Sequence, residues 1–157
     1  MSANEDTKRF AKVARPLDGI PGWLGGTHSG VYDKETGQVH EVVTRDGQRA
    51  KYNTLPSLDV FARGKNVVEQ QPYSHQLPDH QVKENLSALK SEIDSGNVPY
   101  DPKGNNGVCC HHGSEWALTG VPQSPESEVL SGGLEVLRAL KSIDDNDRPS
   151  GAFSSFG

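Results

Sequence analysis

The residues best suited to chemistry in this chain are its two cysteines and the histidines beside and before them. Both cysteines lie in a Cys-Cys-His-His run at residues 109–112, and two earlier histidines, His28 and His40, lie twelve positions apart. A thiolate can attack a carbonyl carbon while an imidazole removes and returns the proton. The set therefore predicts a cysteine nucleophile with histidine partners.

Cys110 is the candidate nucleophile because it lies where a helix is expected to begin. A loop with two prolines and two glycines precedes it at residues 97–107, and the helix should run to Thr119 and end at Gly120. A helix N-terminus lowers the pKa of a thiol below its usual value of roughly 8.5, and its backbone amides can stabilise an oxyanion. Cys109, more typical of a small buried residue, and His112 are retained as an alternative nucleophile or auxiliary groups.

The cysteine run fits neither a disulfide nor a metal site well. A bridge between adjacent cysteines closes a small, strained ring and links no distant parts of the chain. Four consecutive residues cannot all face one tetrahedral ion, and zinc ligands usually come in spaced pairs. A zinc site made from Cys109, His112 and a distant residue stays open as a minor alternative. We expect reduced thiols, with no metal and no cofactor.

The two histidines belong to a predicted β-hairpin. Its turn at residues 35–37, Glu-Thr-Gly, has the length and the glycine of a type I turn followed by a bulge. That turn pairs Tyr32 with His40, and because side chains alternate along a strand, His28 and His40 should share one face. The inference depends on this register, since a slip of one residue would separate the two histidines.

We expect the two faces of this hairpin to differ in role. On the histidine face, one imidazole would act as general base, and a second polar group, for which His40 is the candidate, would hold its ring in the useful tautomer. Gly30 would leave open space beside His28, and Gly30 and Tyr32 would line the substrate pocket. The other face is expected to be apolar core and carries Val31, Val39 and Val43.

Hydrophobic periodicity and turn residues predict an α+β fold, a small antiparallel sheet packed against helices. Strands are expected at residues 27–33, 38–44 and 49–53, with a brief helix near Leu58. The clearest helix spans residues 79–94, and two further helical stretches are expected after residues 124 and 134. The apolar face of the helix at residues 79–94 carries Val82, Leu86, Leu89 and Ile93. The expected domains are a flexible N-terminal arm at 1–20, a catalytic domain at 21–144 and a flexible tail at 145–157.

Composition excludes some classes of partner. Only 32% of the 157 residues are hydrophobic, and the net charge is −5. A basic face is needed to bind phosphates, so nucleic acid is not expected as the main partner. No apolar stretch reaches the length of a transmembrane segment, and the polar N-terminus has no signal-like apolar core. We expect a soluble protein, either cytoplasmic or exported without a cleavable signal.

In order and spacing these motifs resemble permuted NlpC-type papain-like cysteine enzymes, and in particular the lecithin retinol acyltransferase and H-Ras-like suppressor family. That family carries His-x-(Ala/Gly)-x-Tyr, a glycine turn and a second histidine twelve residues after the first, as His28 and His40 are here. Its nucleophile opens a helix in Asn-Cys-Glu-His-Phe, and here Cys110 lies ten residues before Gly120. The resemblance covers about residues 23–122. It implies a permuted papain-like fold with Cys110 as nucleophile, His28 as base and His40 orienting it.

The chain departs from the family pattern beside the nucleophile. Cys109, His111 and Gly113 stand where the family has Asn, Glu and Phe, and the membrane-anchoring tail of many relatives has no counterpart. We therefore expect a hydrolase or acyltransferase that acts on an amide, peptide or ester bond through an acyl-enzyme, with amides favoured over lipid esters. The wider clan includes enzymes that cut bacterial cell-wall peptides, so the resemblance implies a bacterial effector or a cell-wall amidase.

Two kinds of partner follow from these expectations. An enzyme of this type would take a peptide-like or acyl substrate, and a protein partner or inhibitor could regulate it. The alternative is a non-catalytic interaction module, which the low hydrophobicity and an amphipathic C-terminal helix would suit. Thiol reactivity separates the two hypotheses.

Overall fold

The computed structural model describes residues 8–17, 27–96, 98–101 and 108–122. These residues form a five-stranded antiparallel sheet with helices packed against it. The strands, in the spatial order β4-β3-β2-β1-β5, are β1 (Phe10–Pro16), β2 (Thr27–Asp33), β3 (Val39–Thr44), β4 (Ala50–Leu55) and β5 (Val68–Gln70). The helices are α1 (Leu58–Ala62), α2 (Asp79–Asp94) and α3 (Cys110–Thr119). The prediction of an α+β fold is confirmed.

The predicted N-terminal arm is wrong for the residues that form β1. Phe10–Pro16 pairs with β2 along its whole length and with β5 on its other edge, so it lies inside the sheet. Two charged residues, Lys12 and Arg15, make this segment look like a polar arm, yet both are buried. A buried charge needs a partner inside the protein, and such partners come from distant parts of the chain.

Lys12 has such a partner in α3. Its Nζ lies 2.9 Å from Oε2 of Glu115, and the two side chains are 1% and 0% exposed. The other oxygen of Glu115 accepts a hydrogen bond of 2.8 Å from the backbone N–H of Tyr73, whose ring lies under the ammonium at 4.9 Å. This buried ion pair connects β1 to α3.

Both faces of the sheet are covered. The face that packs against α2 and α3, here called the helical face, carries a core with Phe10, Val31, Val42 and Tyr52. The face that packs against Phe61 of α1, here called the α1 face, carries Val13 and Val39. The four predicted apolar residues of α2 are all buried against the helical face, as expected.

The register of the β2–β3 hairpin differs from the predicted one by one residue. Val31 pairs with His40 and Tyr32 with Val39. The reason is the turn: Asp33 donates its N–H to the carbonyl of Gln38, so the loop has four residues, with Gly37 at a φ of 78°. The predicted three-residue loop is wrong. His40 consequently lies on the helical face, whereas His28 lies on the α1 face.

The expected single apolar face of the hairpin is also wrong. Val31 belongs to the core of the helical face, whereas Val39 belongs to the core of the α1 face. Because both faces of the sheet are buried, the alternation of polar and apolar residues does not show which face packs in the core. The predictions for the helices after residue 124, the tail at 145–157 and the start of the domain at 21 lie outside the described residues.

At Gly113, α3 packs directly against Val42 of β3. A Cβ atom there would lie 2.7 Å from Cγ2 of Val42, and a β-branched side chain has little freedom to move. We expect Gly113→Ala to destabilise the protein by about 1–2 kcal/mol, because overpacking outweighs the better helix propensity of alanine. Urea unfolding would measure it, with Ser87→Ala on the exposed side of α2 as control. Equal stability of the two variants would contradict this.

Candidate functional site

The site begins with a buried imidazole–carboxylate pair on the α1 face. Nε2 of His28 lies 2.7 Å from Oε1 of Glu41, and both side chains are buried. In the observed register Val31 is opposite His40, so Glu41, the next residue of β3, lies on the same face as His28. Glu41, and not His40, is therefore the polar group that contacts the ring of His28.

A second strand holds the carboxylate in place. Nδ2 of Asn53 in β4 donates a hydrogen bond of 3.1 Å to Oε2 of Glu41, and Asn53 pairs directly with Glu41 in the sheet. Burial alone would raise the pKa of Glu41, but the hydrogen bonds from His28 and Asn53 and the charge of Arg15 lower it below its usual value. The carboxylate is thus ionised and can stabilise a positively charged imidazole.

The ring of His28 is also packed from the side. Phe61 of α1 stacks on it, with ring centroids 5.5 Å apart and planes inclined by 28°. Arg15, which pairs with His28 across β1 and β2, places its guanidinium 5.6 Å from the same phenyl ring. Hydrogen bonding and stacking together restrict His28 to one orientation, as a positioned acid–base group requires.

Gly30 does not leave the predicted open space beside His28. A Cβ atom at this position would lie 2.9 Å from Cγ1 of Val39 and 3.1 Å from Cε1 of Phe61. The expectation of an open pocket there is wrong, because the phenyl ring of α1 occupies that side of the strand. Tyr32 is half-buried and packs against the core of the α1 face.

His40 has a separate environment on the helical face. Its Nδ1 lies 2.9 Å from the phenol oxygen of Tyr52, and the two ring centroids are 5.8 Å apart. Burial lowers the pKa of His40 and raises the pKa of Tyr52. Both groups are therefore neutral near pH 7, and one hydrogen bond joins the phenol to the imidazole. The register places His40 on the other side of the sheet from His28, so the predicted orienting role is wrong.

Cys110 is the first residue of α3, as expected, and Cys109 precedes it in an extended conformation. Both are buried thiols. Oγ of Ser114 donates to the carbonyl of Cys110 and lies 3.0 Å from Oγ of Ser29 in β2. The helix ends at Gly120, with a φ of 78°, as predicted.

The first turn of α3 is hydrogen-bonded to the beginning of β2. Nε2 of His111 lies 3.1 Å from the carbonyl oxygen of Thr27 and 3.0 Å from its Oγ1. Because a carbonyl oxygen can only accept, His111 carries a proton on Nε2. Thr27 precedes His28, so the helix that starts with Cys110 and the strand that carries His28 begin side by side. The ring of His28, however, is on the face of the sheet opposite to α3.

Two residues of this region have no counterpart in the sequence predictions. The position of Glu41 could have been noticed in the sequence, since this acidic residue directly follows His40, the predicted orienting group. No sequence feature indicates the place of Tyr100, which forms a β-bridge with Val108 beside the cysteines. Burial raises the pKa of Tyr100, the charges of Cys110 and Cys109 raise it further, and the backbone of Cys110 forms a hydrogen bond with it.

His112 and Cys109, the alternative or auxiliary groups, are both buried. Among the described residues, no group of three or more His, Cys, Asp or Glu side chains is placed to hold a metal ion. No helix in the described part of the chain is long and apolar enough to cross a membrane. No protein-family model, curated protein or solved structure matches this chain.

Proposed function

We propose that the protein is a thiol hydrolase or acyltransferase of amide, peptide or ester bonds, with Cys110 as nucleophile and His28 as acid–base group. The observation that carries the proposal is the buried pair of 2.7 Å between His28 and Glu41. An ionised carboxylate held on an imidazole is the arrangement that fixes its tautomer and stabilises its protonated form. In this proposal Glu41 takes the orienting role that the sequence predicted for His40.

The position of Cys110 supports the role of nucleophile. It opens a ten-residue helix, where the helix dipole favours a negative charge. Cys109 is the N-cap residue, and its side chain makes no capping hydrogen bond to the helix. We therefore propose Cys110 as the nucleophile and keep Cys109 as the alternative.

The reaction follows from these two groups. The thiolate of Cys110 attacks the carbonyl carbon, and a thioester forms as the bond to the amine or alcohol breaks. The leaving group takes a proton from protonated His28, which Glu41 stabilises. Water, or an acceptor amine, then attacks the thioester while His28 removes a proton from it, and the sulfur of Cys110 leaves as the thiolate. Neither step needs a cofactor.

Because the ring of His28 and α3 lie on opposite faces of the sheet, we propose that both groups reach the substrate at the edge of the sheet where β2 begins. His28 is the second residue of that strand, and Thr27 before it contacts His111 in the first turn of α3. A substrate carbonyl would be bound at this end of the sheet, between the start of the strand and the start of the helix. The direct consequence is that reactivity of Cys110 depends on His28.

Thiol labelling tests the proposal. We expect iodoacetamide to alkylate Cys110 at pH 6 at least tenfold faster than an ordinary cysteine, whose thiolate fraction is small at that pH. His28→Ala should remove this excess, and mass spectrometry of the digested protein would assign the labelled residue. His75→Ala, which changes a histidine in the loop before α2, is the matched control and should leave the rate unchanged. Slow, equal labelling of Cys109 and Cys110 would overturn the proposal in favour of a non-catalytic module.

A further inference from the structure

The backbone N–H at the start of α3 already has a hydrogen-bond partner. The backbone of Cys110 forms a hydrogen bond with the phenol oxygen of Tyr100, and this bond acts to lower the pKa of the phenol. A donor to the oxygen has that effect, so the N–H of Cys110 is the donor. The oxyanion formed by attack of Cys110 would be bonded, through one carbon, to the sulfur of the same residue. The phenol oxygen therefore lies where such an oxyanion would accept a hydrogen bond from this N–H.

The backbone of Tyr100 is held on two sides. Its N–H donates a hydrogen bond of 2.8 Å to the carbonyl of Gln48, and it forms a parallel bridge with Val108, two residues before Cys110. Hydrogen bonds of 3.0 and 3.1 Å join Val108 to the residues on either side of Tyr100. The contact with Cys110 is thus built into the fold, and a movement of the side chain alone would break it.

The phenol of Tyr100 is neutral. Burial raises its pKa, and the charges of Cys110, Cys109 and Glu41 raise it further. The residue is half-buried and packs against the core of the helical face. A neutral oxygen is a weaker acceptor than an oxyanion, because hydrogen bonds to ionised groups are shorter and about twice as strong. An oxyanion that forms at Cys110 would therefore displace the phenol from the N–H.

On the basis of the proposed function, we infer that the hydroxyl of Tyr100 is an autoinhibitory contact, which occupies the oxyanion position at Cys110. It gives a buried N–H group the partner that such a group requires. The side chain of Tyr100 must leave this N–H before a carbonyl oxygen can use it, and the need to break the hydrogen bond slows acylation. Alkylation of the thiolate forms no oxyanion, so the contact does not slow it.

Two reactions of the full chain separate this contact from the reactivity of the thiol. With p-nitrophenyl acetate, the thiolate of Cys110 attacks the carbonyl carbon through an oxyanion, a thioester forms and p-nitrophenolate leaves. With iodoacetamide, the same thiolate displaces iodide without an oxyanion. We expect Tyr100→Phe to accelerate acetylation about three- to tenfold, the effect of one neutral hydrogen bond, and to leave alkylation within about twofold of the wild-type rate.

Two further variants control for the substitution itself. Tyr73→Phe changes an exposed tyrosine in the loop between β5 and α2 and should alter neither rate. Tyr100→Leu removes the hydroxyl together with the ring and should reproduce the faster acetylation. The absorbance of p-nitrophenolate measures the rate, mass spectrometry assigns the acetyl group to Cys110 or Cys109, and circular dichroism checks that each variant is folded.

The outcomes distinguish this inference from the proposed function. Fast alkylation of Cys110 with equal acetylation of wild type and Tyr100→Phe would overturn the inference alone. Slower acetylation of Tyr100→Phe would also overturn it, because the hydroxyl would then be a donor to the oxyanion. Alkylation of Cys110 no faster than that of an ordinary cysteine, in wild type and variant alike, would overturn the proposed function and the autoinhibitory contact together.

Discussion

Glu41→Gln is expected to lower the labelling rate of Cys110 at pH 6 by about ten- to a hundredfold, the effect of losing one hydrogen bond to a charged partner. Glutamine keeps the size of the side chain but cannot stabilise a protonated His28 at 2.7 Å. The pH at which labelling becomes fast should also rise towards roughly 8.5, the value of an ordinary thiol. A loss of packing alone would not produce this shift in the pH profile.

His40→Gln is the matched control, because the two hypotheses about the orienting group predict opposite results. His40 contacts Tyr52 on the other face of the sheet, so its replacement should leave the labelling rate and its pH profile unchanged. If His40→Gln slows labelling and Glu41→Gln does not, the orienting role of Glu41 is wrong and the register predicted from the sequence is favoured. Circular dichroism of both variants checks that the fold is retained.

Lys12→Met is expected to destabilise the protein by about 3–5 kcal/mol, the usual effect of removing one partner of a buried ion pair. Methionine fills nearly the same volume, so the loss comes from the charge of Glu115, which would remain in a site that is 0% exposed. The free energy of unfolding in urea, followed by far-ultraviolet circular dichroism, measures the change.

Two further variants separate this charge effect from packing. Lys51→Met replaces an exposed lysine of β4 and should change stability by no more than about 0.5 kcal/mol. Lys12→Met combined with Glu115→Gln should recover a large part of the loss, because no buried charge then lacks a partner. A loss in Lys12→Met no greater than that in Lys51→Met would contradict the buried pair.

Local sequence patterns were sufficient to predict the helices and the strand that carry the candidate groups. The period of apolar residues predicts α2 with its buried face, and the glycine at residue 120 predicts the end of α3. The bounds of β2 are also as predicted. These features depend on helix periodicity, strand alternation and turn residues, which act within a few positions of the chain.

The N-terminal strand shows why local patterns fail elsewhere. Lys12 and Arg15 make β1 resemble a polar arm, but both are buried. Their burial depends on partners far along the chain, as Lys12 pairs with Glu115. A charged residue is expected to be exposed only when it has no partner inside the protein. Which distant residues come into contact cannot be predicted from local sequence patterns.

By itself, the sequence determined which chemical groups are present and which elements carry them: a cysteine at a helix start, a histidine in the first strand of a hairpin, and the helix that follows the sheet. Only the tertiary structure decided which of these groups meet. One added residue in the turn before Gln38 moves His40 to the helical face and brings Glu41 to His28. The physical reason is that strand side chains alternate with a period of two, so a shift of one residue exchanges the whole set of neighbours.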